Sequence, residues 1–242
     1  MTWSIVALDA DTGAFGAIVA TRFLAAAGLC LAVESGVGAV ATQATINPTY
    51  GPRGLRLLRE GSAPGAALAE LIASDGGRDH RQVQLVGAGG RTAAHTGPAC
   101  HDWSGHRAGA GVSVAGNLLA GPEVVGATLA AYEDGAGLPF ADRLLAAMRA
   151  GQSAGGDARG QQSAGILIHG TEEYPDLSLR VDDHPAPLDE LRRIYDLWLI
   201  EFAAARKYMA TRNDPTGGYD DAVIEAEVQR RRSDPGERVF PV

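Results

Sequence analysis

Two cysteines in a chain of 242 residues, Cys30 and Cys100, supply neither a zinc-ligand spacing nor a disulfide framework. A reduced, cytoplasmic protein is the expectation. Long apolar runs are also missing. None approaches the roughly 18 residues of a membrane span, and the opening Met-Thr-Trp-Ser lacks the basic region that starts a signal peptide. Positive charge is in deficit: 21 Lys and Arg against 29 Asp and Glu give a formal net charge of −8. That argues against a partner held by its phosphate backbone. The densest basic run, Arg230 to Arg232, reads as a solvated helix end. There is no Walker loop, and Gly87 to Gly90 separates two strand-like runs without a following helix, so no dinucleotide fingerprint is formed. Neither nucleic acid nor a membrane is expected as a partner, and no internal repeat is visible.

What remains is an ordinary globular composition, 45% hydrophobic and 21% charged, in a length that suits one domain. The 32 glycines predict many tight turns. Residues 3–8 and 14–21 read as a hairpin across the turn Asp9 to Gly13, followed by strands at 29–33 and 37–43. After the loop Asn47 to Pro52 come helical patterns at 52–60 and 64–74, the second with Pro64 in its first turn. A hairpin is predicted at 81–87 and 91–96, and a strand at 111–118. Helices at 122–133 and 139–150, a loop over 151–161 and strands at 163–169 and 177–182 complete the body. One long helix is predicted over 187–208, with Leu188, Leu191, Ile194, Tyr195, Trp198 and Phe202 at helical spacing. Strands and helices arrive in blocks rather than in βαβ alternation, which fits packed sheets covered by helix pairs. The boundaries are drawn as a domain over 1–216 and an extension over 217–242, with a short helix near 219–231.

Thr2 stands just before the first strand. Removal of Met1 gives it a free α-amino group titrating near ~8, able to take the proton of its own hydroxyl; the plain alternative is an ordinary first residue. Amide hydrolysis also needs donors for a developing oxyanion. Asn117, beside Gly116 at a strand end, is either such a donor or a turn residue. Gln43 either points into the same cleft or simply ends its strand. Asp157 and Arg159 either pair within a turn or orient the Thr2 amine (Asp157) and a substrate carboxylate (Arg159). Thr21, with Arg22 after it, ends the strand beside the first. His101, Asp102 and His106 are a weaker alternative as metal ligands, since residues five apart do not share a helical face. Cys100 as a thiol nucleophile is weaker still.

Several stretches resemble the bacterial DUF1028 family of the Ntn-hydrolase-like superfamily. They are Thr2 to Ala7 with Asp9, Thr12 and Gly13; Gly36 to Gln43; Asn47-Pro48, Tyr50 to Pro52 and Gly54-Leu55; Arg81 to Val83; Thr96-Gly97 with Cys100; Gly116-Asn117 and Leu119 to Pro122; and Gly155 to Asp157 with Arg159-Gly160 and Gln162-Ser163. The resemblance implies an α+β fold, a four-layer αββα sandwich of the Ntn-hydrolase type, with Thr2 at the place of the nucleophile. The expected function is an amidohydrolase acting on a small amide or peptide-like molecule. Thr2, Asn117 and Asp157 would be catalytic, Gln43, Arg159 and Thr21 would bind substrate, and neither metal nor cofactor is called for. The alternative is a non-catalytic binding or assembly protein on the same scaffold. A homodimer or higher homo-oligomer is expected, with Tyr195, Trp198, Phe202 and Phe240 as candidate interface residues.

Overall fold

The computed structural model describes residues 2–218, 220–237 and 240. Strands β1 (Thr2–Leu8) and β2 (Phe15–Thr21) form the predicted hairpin, closed by Asp9 N–H on Ala14 O and Gly13 N–H on Asp9 O, with Gly13 at φ 76°. They are the centre of a six-stranded sheet. On one side β2 is followed by β9 (Ser163–His169) and β10 (Leu177–Val181); on the other, β1 is followed by β8 (Val112–Asn117) and β7 (Gly105–Gly109). A second sheet runs in the order β3 (Leu31–Glu34), β4 (Gly38–Ala44), β5 (Arg81–Gly87), β6 (Thr92–Thr96). Every pairing between named strands is antiparallel.

The period of two in the sequence sorts the side chains of both sheets. On β1, Trp3, Ile5 and Ala7 join the largest apolar cluster, with Leu144, Leu145 and Met148 of α5 (Phe140–Ser153) and Val124 and Val125 of α4 (Pro122–Asp134). Leu188, Leu191 and Tyr195 of α6 (Pro187–Ile200) extend this cluster over β9 and β10. The alternate residues Thr2, Ser4 and Val6 face the second sheet. The second sheet repeats the pattern. Val40, Val83 and Leu85 pack under α2 (Tyr50–Arg59) and α3 (Pro64–Ala73), while Ala39, Ala41, Gln43, Gln82, Gln84 and Val86 face the first sheet. Each fully buried aliphatic side chain stabilises the fold by about 1.5–3 kcal/mol. The chain is thus a mixed α+β protein of helices and antiparallel sheets.

Three departures from the sequence reading have local causes. The region 29–33 begins as a helical turn, α1 (Ala27–Cys30), and extends only from Leu31. The stretch after His101, which has no element in the sequence reading, contains β7. Its sequence Gly-His-Arg-Ala-Gly has no apolar alternation, and pairing with β8 alone makes it a strand. The long helix expected over 187–208 breaks at Glu201 (φ −94°, ψ −60°), and α7 (Phe202–Arg206) restarts so that Ala203 enters the core. Tyr195, Trp198 and Phe240 are also buried within this chain, the Trp198 and Phe240 rings 5.5 Å apart; of the candidate interface aromatics only Phe202 is exposed.

Helix α8 (Asp221–Ser233) starts at Asp220, whose carboxylate accepts from Ala222 N–H and Val223 N–H. Its buried Glu227 accepts from Lys207 Nζ at 2.5 Å and Arg231 Nε at 2.9 Å, and also from Arg230. These partners, Lys207 first, hold the Glu227 carboxyl down at about 2. Arg231 also donates to Leu199 O at 2.9 Å. No helix among the described residues is long and apolar enough to cross a membrane.

Candidate active site at the head of the central strand

Thr2 opens β1 and is paired with Thr21 on one side and Asn117 on the other. The three side chains therefore stand in a row on the face toward the second sheet. The Thr2 and Thr21 hydroxyls lie 3.1 Å apart, either able to donate. Thr2 is 6% exposed and Thr21 1%. Asn117 Nδ2 donates to Gln82 Oε1 at 2.9 Å, with Thr2 O farther off at 3.4 Å. Gly116 is required beside it, since a Cβ there would lie 3.0 Å from Trp3 Cβ and 2.3 Å from Leu119 Cδ1. The state of Met1, on which a free Thr2 amine depends, lies outside the described residues.

Below this row the two sheets meet through carboxamides. Gln43 Nε2 contacts Gln82 Oε1 at 2.7 Å, Ala115 O at 3.1 Å and Thr2 O at 3.2 Å, and Gln43 Oε1 accepts from Ser4 Oγ at 2.7 Å. Gln84 Nε2 donates to Ser4 Oγ at 2.8 Å and Ser4 O at 3.0 Å. Gln43 is 2% exposed, so its carboxamide holds the start of β1 instead of presenting a free edge to a substrate.

The loop over 154–162 crosses the same end of the six-stranded sheet. Leu119 and Asp157 form an isolated bridge, Gln162 N–H donates to Thr21 O, and Ala120 N–H donates to Gly156 O. Because β1 lies between β2 and β8, this loop spans the Thr2 end of β1. The Asp157 carboxylate accepts from Arg22 N–H at 2.8 Å and Arg159 N–H at 2.9 Å, with Arg159 Nη2 at 3.5 Å. Asp157 thus anchors the loop to the exit of β2, where the sequence reading aims it at the Thr2 amine. The Arg159 side chain is 45% exposed, and Arg22 Nη1 reaches Gln162 Oε1 at 2.5 Å. Two guanidinium groups therefore stand on the rim.

Backbone strain concentrates here. Among the described residues, the non-glycine positions with positive φ are Ala25 (52°), Ala44 (68°) and Leu118 (54°). They follow β2, end β4 and follow β8, all at the Thr2 end. Each costs on the order of 1–2 kcal/mol, and such conformations cluster at functional sites.

His106 Nδ1 lies 2.9 Å from Thr96 Oγ1; burial, and then the neighbouring His95, lower its pKa. Among the described residues no group of three or more His, Cys, Asp or Glu is placed to hold a metal ion. Cys100 Sγ donates to Arg81 O, and burial raises its thiol pKa, the opposite of an activated nucleophile. A cavity of about 630 Å³ lies at the other end of β1, lined by Asp9, Thr12, Phe140, Glu172, Arg206 and Phe240 among others. The length of β1 beyond Thr2, Trp3 to Leu8 or roughly 20 Å, separates it from Thr2.

These features describe a mixed α+β protein with a polar, strained site at the head of its central hairpin. The chain belongs to DUF1028, a family of unknown function, whose model matches residues 2–191. The crystal structure of protein SPO2555 from Silicibacter pomeroyi, of the same family, is similar at a TM-score of 0.85 and 32% identity, over 91% of this chain and 96% of that one. Anbu, the ancestral beta-subunit from Yersinia bercovieri, aligns at a TM-score of 0.39 and 12% identity, over 84% of this chain and 96% of that one. No curated protein matches the chain in sequence.

Proposed function

We propose that this chain is an Ntn-type amidohydrolase on a four-layer αββα sandwich, cleaving a small amide with Thr2 once Met1 is removed. The observation that carries this reading is the Thr2 hydroxyl at the head of the central strand, 3.1 Å from a second hydroxyl and beside the Asn117 carboxamide. In this mechanism the freed α-amine takes the proton of Thr2 Oγ1 as that oxygen bonds to the substrate carbonyl carbon. The amine then returns the proton to the leaving nitrogen as the C–N bond breaks, leaving an ester on Thr2. Water, deprotonated by the same amine, adds to the ester carbon, and the acid leaves as the C–O bond breaks and the proton passes from the amine back to Thr2 Oγ1. Asn117 supplies an oxyanion donor: its first hydrogen is fixed on Gln82, and its second, which makes only a long 3.4 Å contact to Thr2 O, is left for the oxyanion. Thr21 keeps the Thr2 hydroxyl in place, and Asp157 steadies the rim from which Arg159 and Arg22 meet a substrate carboxylate.

The test is intact-mass analysis of the purified chain with turnover of a panel of N-acyl p-nitroanilides, half of them carrying a carboxylate. The expected result is loss of Met1, hydrolysis of at least one member, and a fall of roughly 10³-fold or more in Thr2→Ala. Retained Met1, or full turnover in Thr2→Ala, sinks the mechanism. A second reading, a ligand-binding protein on the same scaffold, is favoured by the cavity near Asp9 and Arg206. It expects ligand-induced stabilisation that Thr2→Ala leaves unchanged.

A further inference from the structure

Gln82 is the carboxamide through which the polar groups between the sheets meet. Its Oε1 accepts from Gln43 Nε2 at 2.7 Å and Asn117 Nδ2 at 2.9 Å. Its Nε2 faces Gly116 O and Thr96 Oγ1, both at 2.8 Å, and Gly105 O at 3.0 Å. The side chain is fully buried. The two carbonyls can only accept, so the nitrogen end of the amide must face them and the oxygen end must face Gln43 and Asn117. A reversed amide would place oxygen against Gly105 O and Gly116 O and bring two N–H groups against those of Gln43 and Asn117. The orientation of Gln82 therefore dictates that of Asn117: nitrogen inward, one hydrogen on Gln82, the other beside Thr2.

The same accounting continues outward. Thr96 Oγ1 cannot donate to an amide nitrogen, so its own hydrogen is available to His106 Nδ1 at 2.9 Å. With that hydrogen on Nδ1, His106 accepts there and carries its ring proton on Nε2. The register explains the line-up. Gln43, Gln82 and Thr96 are directly opposite one another across β4, β5 and β6, and Gly105 pairs with Gly116 across β7 and β8.

We propose that Gln82, backed by Thr96 and His106, is a positioning residue for the Thr2 site and sets the direction in which the Asn117 amide points. What Asn117 does chemically rests on the hydrolase reading; its orientation by Gln82 is a property of the folded chain and is tested separately. The experiment is NMR of ¹⁵N-labelled full-length protein at pH 7, following the His106 ring nitrogens and the side-chain NH₂ groups of Gln82 and Asn117. In the wild type the ring proton is expected on Nε2. His106→Phe removes the acceptor and should shift both NH₂ groups. His106→Asn, whose Oδ1 can occupy the place of Nδ1, should return them toward wild type. Gln82→Glu sets a carboxylate against Gly105 O and Gly116 O and should give the larger displacement. Labelling of processed Thr2 by a β-lactone, read by intact mass, should slow on the order of tenfold in Gln82→Glu, less in His106→Phe, and recover in His106→Asn. An Asn117 NH₂ pair unmoved in His106→Phe, or a wild-type ring proton on Nδ1, overturns the proposal even if Gln82→Glu fails to fold. A wild type that is never labelled counts against the hydrolase reading alone, since the NH₂ shifts decide the positioning without it.

Discussion

The space between the two sheets has two halves built from the same strands. Toward Thr2 it is filled by Thr2, Ser4, Thr21, Gln43, Gln82, Gln84 and Asn117, all buried; toward the other end it is filled by Val6, Phe15, Ala17, Val33, Ala39, Ala41 and Val86. On β4 the change falls between Ala41 and Gln43, and on β5 between Gln84 and Val86. The apolar half stabilises by removal of surface from water and needs no particular partner. A buried carboxamide is different. It nets only about 1 kcal/mol per hydrogen bond when satisfied and loses more than that when one partner is missing. Three left-handed non-glycine residues add their cost at the same end. A fold selected for stability alone would extend valine and alanine along the whole seam. The polar half specifies directions, which is what the proposed threonine nucleophile and its amide donor would require.

The contrast breaks most visibly if the halves are interchangeable. Val86→Gln puts a carboxamide among Val6, Ala39 and Ala41, none of which can pair with it. A loss of about 3 kcal/mol is expected by chemical denaturation. A cost near zero would mean that water or rearrangement satisfies amides anywhere in the seam. The reverse change, Gln43→Leu, strips a partner from Ser4 Oγ, Gln82 Oε1, Ala115 O and Thr2 O together. It should cost about 2 kcal/mol and also release the start of β1, seen as faster hydrogen exchange at Trp3 and Ser4.

Much of this was readable in the sequence, for physical reasons that also mark where reading stops. The strand boundaries followed from alternation and turn residues: β5 and β9 fall on the predicted spans. Thr2, Thr21, Gln43 and Asn117 are all candidates in the sequence; antiparallel register brings Thr2, Thr21 and Asn117 into one row, and Gln43 reaches Thr2 O from the facing sheet. Gln82, although within the family-like stretch Arg81 to Val83, and Gln84 are not candidates for the site, because Gln-Val-Gln-Leu reads as a strand with one wet face. Only the packing of sheet on sheet turns that face inward, and no single-strand pattern carries it. Ser4 was hidden in the same way, between Trp3 and Ile5. A signal was present nonetheless: polar residues limited to amides and hydroxyls, with no charge, at alternate positions of two strands.

That lack of charge separates the seam from the rest of the molecule in its response to acid. Asp75 accepts from Asn47 Nδ2, Tyr50 Oη, Gly77 N–H and Arg81 Nε, and these bonds, Asn47 first, hold its carboxyl well below the usual range. With the folded value depressed, the stability it contributes is full above the unfolded value near ~4 and is lost as pH falls below that toward the folded value. Calorimetry at pH 7, 5 and 3 should show the deficit of Asp75→Asn shrinking between pH 5 and 3. The deficit of Gln43→Leu should stay constant down to the same pH, since nothing it touches titrates there. A Gln43→Leu penalty that changes with pH would put a charged group in the seam.

The smallest expected effect is the sharpest on what the polar half is for. Ser113 lies on the seam face of β8, two residues inward from Ala115, and is fully buried. Its hydroxyl has no hydrogen-bond partner among the described residues, and Gln84 Oε1 is likewise unpaired. Both mark the boundary at which the network runs out. A buried hydroxyl without a partner contributes desolvation cost and nothing in return. Ser113→Ala should therefore be neutral or stabilise by up to ~1 kcal/mol, whereas Ser4→Ala, which removes a partner of both Gln43 and Gln84, should destabilise. Equal destabilisation by the two would place an ordered water on Ser113 and extend the network to Val6, moving the boundary between the halves one residue pair farther from Thr2.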